Sequence, residues 1–145
     1  LTGSASSEAI SGLAGNDTIL AGTGDDTLIG GRGMDSLTGG DGADVFVFDQ
    51  APKAGEADVI TDFVSGVDQI ALARAVFGAA GLPGVLEDAA FALGTAPTDA
   101  TDRLIYDDAT GRLFWDADGT GRSASVLLAT LEGSPLLEAS DIVIL

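Results

Sequence analysis

Four aspartates, Asp17, Asp26, Asp35 and Asp44, stand nine residues apart, and each follows a glycine by two positions: Gly15, Gly24, Gly33 and Gly42. Two residues beyond each aspartate comes a large apolar side chain, Ile19, Leu28, Leu37 or Phe46. The frame extends backwards to Ser6, Glu8 and Ile10, a degenerate first copy. Acids at a fixed short period imply a specific chemistry. If the repeats stack, carboxylates of alternate turns come within a few ångströms of each other and repel unless a cation lies between them. Carboxylate and carbonyl oxygens, without nitrogen or sulfur, form a hard donor set, and a flexible oxygen-rich loop favours calcium over magnesium. The alternative is a metal-free solenoid in which glycine serves the turns and aspartate makes Asx-type hydrogen bonds.

The elements that must position these acids follow from the same period. The residues before each core glycine read Gly12-Leu13, Ala21-Gly22, Gly30-Gly31 and Gly39-Gly40, so the last two copies are Gly-Gly-x-Gly-x-Asp. Six such residues predict a tight turn with inward carbonyls, because glycine reaches positive φ and permits close approach of successive turns. The three residues centred on the apolar position predict a short strand. Stacked at about 4.8 Å, such strands build two parallel sheets, with alternate copies on opposite sheets and Ile10, Ile19, Leu28, Leu37 and Phe46 in a narrow core.

Charge and composition narrow the possibilities. The chain has 145 residues and a formal charge of −17, from 23 carboxylates against six basic residues. Carboxylates in that excess repel one another in a compact state. Nucleic acid is excluded as a partner, because phosphate recognition needs clustered Lys and Arg. With no Cys and no His, disulfides, thiolate zinc sites and imidazole-dependent catalysis are excluded. An apolar content of 46 % allows a core, so folding is possible but conditional. No apolar run reaches membrane-span length and no signal peptide is legible. Beginning at Leu1, the sequence reads as a piece of a longer chain.

After Asp44 the glycine period stops. Residues 50–57, with Pro52 and Gly55, predict a loop, and 58–72 predict two short strands about a Ser65-Gly66 turn with Ile60, Phe63, Val64, Ile70 and Leu72 as apolar positions. Residues 71–96 allow one or two short helices. A hairpin is predicted from 104–107 and 113–116 about the turn 108–111, with a third strand in 124–131 and a last one at the end. Asp116-Ala-Asp118-Gly119-Thr120-Gly121 opens like an EF-hand loop but lacks the twelfth-position glutamate, and reads as a hairpin turn. Asp107, Asp108, Asp116 and Asp118 read as solvated turn acids rather than a glycosidase pair. Trp115, Tyr106 and Phe114 read as core rather than a sugar platform. The expected architecture is all-β: a parallel β-roll over 1–49, then a β-sandwich-like capping region over 50–145 with one or two short helices, continuous with the roll.

The whole chain resembles the C-terminal region of RTX proteins exported by type I secretion, such as serralysin metalloproteases and haemolysin-type toxins. The nonapeptides carry the resemblance, as do the segments 58–68 and 105–121. The resemblance implies calcium held by Asp17, Asp26, Asp35 and Asp44 with the turn carbonyls of Gly22, Gly24, Gly31, Gly33, Gly40 and Gly42, and a post-roll site at Asp58 and Asp68. Asp141 followed by Ile142, Val143, Ile144 and Leu145 is similar to the family's uncleaved export signal, which implies the type I secretion machinery as a partner. The departures, Ser6, Glu8, Leu13 and the polar Ser4 to Ser7 stretch, fall in the first copies. The family's proteases keep their zinc-binding histidines in another domain, which implies a non-catalytic fragment of a larger enzyme. The implied function is a secreted, extracellular module, unfolded at low calcium and folded in millimolar calcium. A calcium-dependent adhesion or surface-anchoring module is the alternative.

Overall fold

A glycine-rich nonapeptide has room for one short strand per repeat, and a strand that short gains little by itself. What stabilises it is lateral pairing with the copy two repeats away. The computed structural model describes residues 1–145, and in it β1 (Ala9–Ser11), β3 (Thr27–Ile29), β5 (Val45–Phe48) and β7 (Gln69–Leu72) pair in parallel in one sheet. The opposite sheet starts with β2 (Thr18–Thr23), β4 (Ser36–Asp41) and β6 (Asp58–Ile60), also parallel. Successive copies therefore alternate between sheets, as the period predicts. β2 and β4 run longer than three residues because the first turn residues also pair, Gly22 with Gly40 and Thr23 with Asp41.

The remaining chain adds strands to the same two sheets. After β7 come α1 (Arg74–Phe77), a 3-10 turn (Gly78–Ala80), β8 (Gly84–Val85), a second 3-10 turn (Asp88–Ala90) and β9 (Phe91–Leu93). Then follow β10 (Leu104–Asp107), β11 (Arg112–Trp115), β12 (Val126–Leu131), a third 3-10 turn (Ala139–Asp141) and β13 (Ile142–Ile144). The sheets run β1-β3-β5-β7-β13-β8 and β2-β4-β6-β12-β11-β10-β9. Both cross from the repeats into the second region without a break.

Register puts one apolar row on each inner face. Ile10, Leu28, Phe46, Ile70 and Ile142 are direct neighbours across five strands, and Ile19, Leu37, Ile60 and Leu131 across four. All are buried except Ile10, which packs half-covered at the open end of the stack. Burying each such side chain contributes about 1.5–3 kcal/mol. The turns between strands demand glycine for a measurable reason. Gly42 has φ +142°, and a Cβ there would lie 2.6 Å from the carbonyl carbon of Gly24 in the turn below.

Several expectations need correction. The strands of 58–72 do not pair with each other but enter opposite sheets, because each continues the row of the last repeat on its own side. Of the apolar positions in 58–72, Ile60, Phe63, Ile70 and Leu72 are buried, whereas Val64 is 52 % exposed at the start of the 64–68 turn. The stretch 71–96 holds the expected short helix and also two strands whose partners lie far away in sequence. The hairpin 104–107 with 112–115, its third strand and the last strand are present. Trp115 packs edge-on against Phe77 at 5.0 Å, and Tyr106 is buried with its hydroxyl donating to the Pro135 carbonyl at 2.6 Å, so both serve the core.

Candidate metal centre

Each repeat ends its turn with an aspartate directed inward, and the two carboxylate oxygens have different fates. On the edge that carries the turns 21–26 and 39–44, Asp26 Oδ1 accepts the Glu8 N–H at 2.8 Å and Asp44 Oδ1 accepts the Asp26 N–H at 2.9 Å. Asp68 Oδ1 accepts the Asp44 N–H at 3.0 Å. On the opposite edge Asp35 Oδ1 accepts the Asp17 N–H at 2.8 Å, and Asp58 Oδ1 accepts the Asp35 N–H at 2.9 Å. Asp58 and Asp68 thus stand where a further repeat would have placed its aspartate, although the period has ended.

The second oxygens are orphans. Oδ2 of Asp17, Asp26, Asp35 and Asp44 is buried with no hydrogen-bond partner. Asp26, Asp35 and Asp44 are at most 2 % exposed as whole residues. A buried acceptor left unmade costs about 1–3 kcal/mol, and an ionised one costs more. Three of the four orphans lie over the first glycine of their own turn. A Cβ at Gly12 would meet Asp17 Oδ2 at 2.7 Å, and one at Gly39 would meet the Asp44 carboxyl carbon at 2.7 Å. Gly30 stands in the same relation to Asp35, and Ala21 occupies this place opposite Asp26. Gly22, Gly24, Gly31, Gly33, Gly40 and Gly42 all have φ between +100° and +142°. A Cβ at Gly31, Gly33, Gly40 or Gly42 would collide with the carbonyl of the turn eighteen residues earlier. Those carbonyls therefore point along the stack toward the next turn of the same edge.

Electrostatics at both edges disfavours the ionised form. Asp58 is pushed up to about 7, first by burial and then by the charge of Asp35, against the opposing Asp35 N–H. Asp44 is raised by burial, with the charges of Asp68, Asp26 and Asp62 adding and the Asp26 N–H opposing. Asp68 is raised by burial, with Asp62 and Asp141 adding and two N–H donors opposing. No three acidic side chains converge on one point, so a cation held at these edges would have to combine carboxylates with turn carbonyls. Orphaned anionic oxygens, adjacent carbonyls and an all-oxygen donor set fit a hard divalent ion.

Glu8 behaves differently from its successors. Its carboxylate turns back to accept the Ser4 N–H and hydroxyl, both at 2.8 Å, so it offers no orphan oxygen. Asp62 is a residue that sequence reasoning missed. It accepts the Gly39 and Gly40 N–H groups at 3.0 and 2.7 Å, closing the last turn of its edge beside Asp44 and Asp68. Being outside the period, it gave no signal. A second missed feature did have one: the residue before each repeat acid is polar in three copies. Ser7 Oγ accepts the Asp25 N–H, Asn16 Oδ1 the Met34 N–H and Asp25 Oδ1 the Ala43 N–H, stapling turns eighteen residues apart. In the Asp116 to Gly121 loop, Asp116 Oδ1 accepts the Asp118 and Gly119 N–H groups, an Asx-type turn within the β11–β12 connection.

Comparison with known proteins gives three findings. A family model described as "Peptidase M10 serralysin C terminal" matches residues 2–92. Among solved structures, the AlgE6R3 subunit of the Azotobacter vinelandii mannuronan C5-epimerase is similar at 30 % identity and a TM-score of 0.64, covering 99 % of this chain and 76 % of that one. The AlgE6R2 subunit of the same enzyme, at 23 % identity and a TM-score of 0.53, shares the fold over 99 % of this chain and 91 % of its own. No curated protein sequence matches.

Proposed function

Since this chain belongs to the serralysin C-terminal family, we propose that it is a calcium-switched folding and export module of a larger secreted protein. The family is an RTX-type, calcium-binding β-roll and is the non-catalytic C-terminal region of its proteases. The observation that carries the reading is the set of four buried, unpartnered Oδ2 atoms on Asp17, Asp26, Asp35 and Asp44. Asp17, Asp35 and Asp58 with the carbonyls of Gly31 and Gly33 would hold calcium at one edge. Asp26, Asp44 and Asp68 with those of Gly22, Gly24, Gly40 and Gly42 would hold it at the other. Bound calcium supplies the positive charge that lets these carboxylates stay ionised while buried.

At submicromolar calcium the 23 carboxylates favour an extended chain, which suits passage through a narrow export channel. In millimolar calcium outside the cell the roll closes. A ligand bound only by the folded state stabilises it by about 2.7 kcal/mol per site at a hundredfold excess over Kd, so a few sites supply much of a small domain's stability. Residues 1–49 form the switch and 50–145 cap it, with Asp141 to Leu145 addressed to the type I machinery. The chemistry of the parent protein resides outside these residues.

The test is far-UV circular dichroism with Trp115 emission, in chelator and across a calcium titration, with magnesium as control. β signal and a blue-shifted emission that develop only with calcium support the switch. Equal folding in chelator refutes it and leaves the aspartates as turn-forming residues.

A further inference from the structure

The hydrogen bonds along one edge form a continuous line that does not stop at the roll. It runs from the Glu8 N–H to Asp26, from the Asp26 N–H to Asp44, and from the Asp44 N–H to Asp68. Asp68 uses both carboxylate oxygens: Oδ1 for the Asp44 N–H and Oδ2 for the Val64 N–H at 2.8 Å, which folds the 64–68 segment into a tight turn. That turn is gripped from outside by Asp141, whose Oδ1 accepts the Gly66 N–H at 2.9 Å and whose Oδ2 accepts the Ser65 hydroxyl at 2.7 Å. Asp141 Oδ2 also accepts the Glu138 N–H at 3.0 Å, and Asp141 is 4 % exposed. Immediately after it, β13 lies between β7 and β8 with Ile142 and Ile144 buried.

Resting on the calcium reading above, we infer that Asp141 is a latch that couples calcium at the Asp26, Asp44 and Asp68 edge to docking of the C-terminal strand, so that folding withdraws residues 141–145 from any partner that reads them. The coupling has two physical parts. Asp68 and Asp141 are like charges that grip one five-residue turn from either side, and they repel each other across it. A cation beside Asp44 and Asp68 offsets that repulsion and lets both carboxylates hold the turn at once. The second part is register. The turn sets where β7 begins, and β7 is the template on which β13 pairs, Ile142 with Ile70 and Ile144 with Leu72. In the calcium-free chain neither the turn nor its template is fixed, and the C-terminal segment is free to be recognised. Linkage makes the effect reciprocal: an undocked β13 weakens calcium at this edge by the factor by which calcium favours docking, about tenfold for a coupling in the usual range.

The test is residue-resolved amide hydrogen exchange during a calcium titration of the full chain, in wild type, Asp141→Asn and the milder Ser65→Ala. The amides of Val143, Ile144 and Leu145 should be unprotected in chelator and slow by at least about a hundredfold as calcium fills the edge. In Asp141→Asn these amides should stay fast at calcium concentrations that protect β2 to β5, and the calcium midpoint should rise about tenfold. Ser65→Ala should move both in the same direction by less. Protection of β13 in chelator, or a calcium-folded roll in which both variants leave β13 protection and the midpoint unchanged, overturns the latch alone. Failure of calcium to protect β2 to β5 in wild type overturns the calcium reading and the latch with it.

Discussion

Replacing Asp44 by asparagine should have opposite effects on the two states of this protein. Asparagine keeps an oxygen to accept the Asp26 N–H at 2.9 Å, and it exchanges the orphaned Oδ2 for an amide group that can donate to the turn carbonyls. Without metal, the substitution removes a buried charge that Asp68, Asp26 and Asp62 all disfavour. Relieving one unmade buried acceptor is worth about 1–3 kcal/mol, so the metal-free fold should gain on that order. With calcium, the same change deletes an anionic ligand, and the midpoint of calcium-induced folding should rise tenfold or more, about 1.4 kcal/mol per decade. The assay is β signal measured two ways: against calcium, and in chelator against trimethylamine N-oxide, which drives folding by exclusion from the protein surface. The osmolyte midpoint should fall while the calcium midpoint rises. Asp108→Asn is the control, since Asp108 is exposed in the β10–β11 turn, outside both edges, and its substitution removes the same net charge; it should shift neither midpoint by much. If Asp44→Asn shifts both midpoints upward, the residue is a structural turn former and the metal-centre argument fails.

Three other outcomes follow from the geometry. In chelator, folding should be easier at pH 5 than at pH 7.5. Asp58 titrates near 7 in the folded state against 3.8 unfolded, so the folded form binds the extra proton and its stability falls as pH rises from about 4 to 7, by at most about 4 kcal/mol; an osmolyte midpoint that stays flat over this range contradicts the account. Leu13 holds φ +72° with its side chain 75 % exposed, so Leu13→Gly removes about 1–2 kcal/mol of left-handed strain, offset in part by glycine's entropy, and the calcium-saturated Tm should rise by a few degrees. Phe46 is fully buried in the inner row, 6.2 Å from Phe63, and Phe46→Ala should cost about 3–5 kcal/mol in urea unfolding at saturating calcium; a loss below 1 kcal/mol would mean that the row is not the core.

How far the sequence could be read depends on how local the pairing is. Ile19, Leu28, Leu37 and Phe46 could be placed on alternating inner faces because nine residues return the chain to the opposite sheet, and eighteen to the same one. The hairpin about Asp108 to Gly111 could be read because its partners are adjacent. The strands β8 and β9 could not, since their two or three residues have no pattern and their register comes from Val143 and Tyr106. The separation of β6 from β7 was hidden likewise, because Asp58 pairs with Ala129 and Ile70 with Ile142, about seventy residues on. At the edges the periodic aspartates were legible by type and spacing. Asp62 and Asp141 were not, since their partners are the Gly39–Gly40 and Ser65–Gly66 backbone, and nothing in their local sequence announces such distant bonds.

The alternation of repeats between two sheets gives the roll a parity. Inserting two nonapeptides, eighteen residues, would move the first turn outward by one strand spacing, about 4.8 Å, and leave it facing the same way. Inserting one would send every earlier strand to the other sheet and rotate whatever is joined ahead of β1 by half a turn about the long axis. The number of repeats therefore acts as a coarse dial on the orientation of a preceding domain, with odd steps reversing its face and even steps only changing its reach.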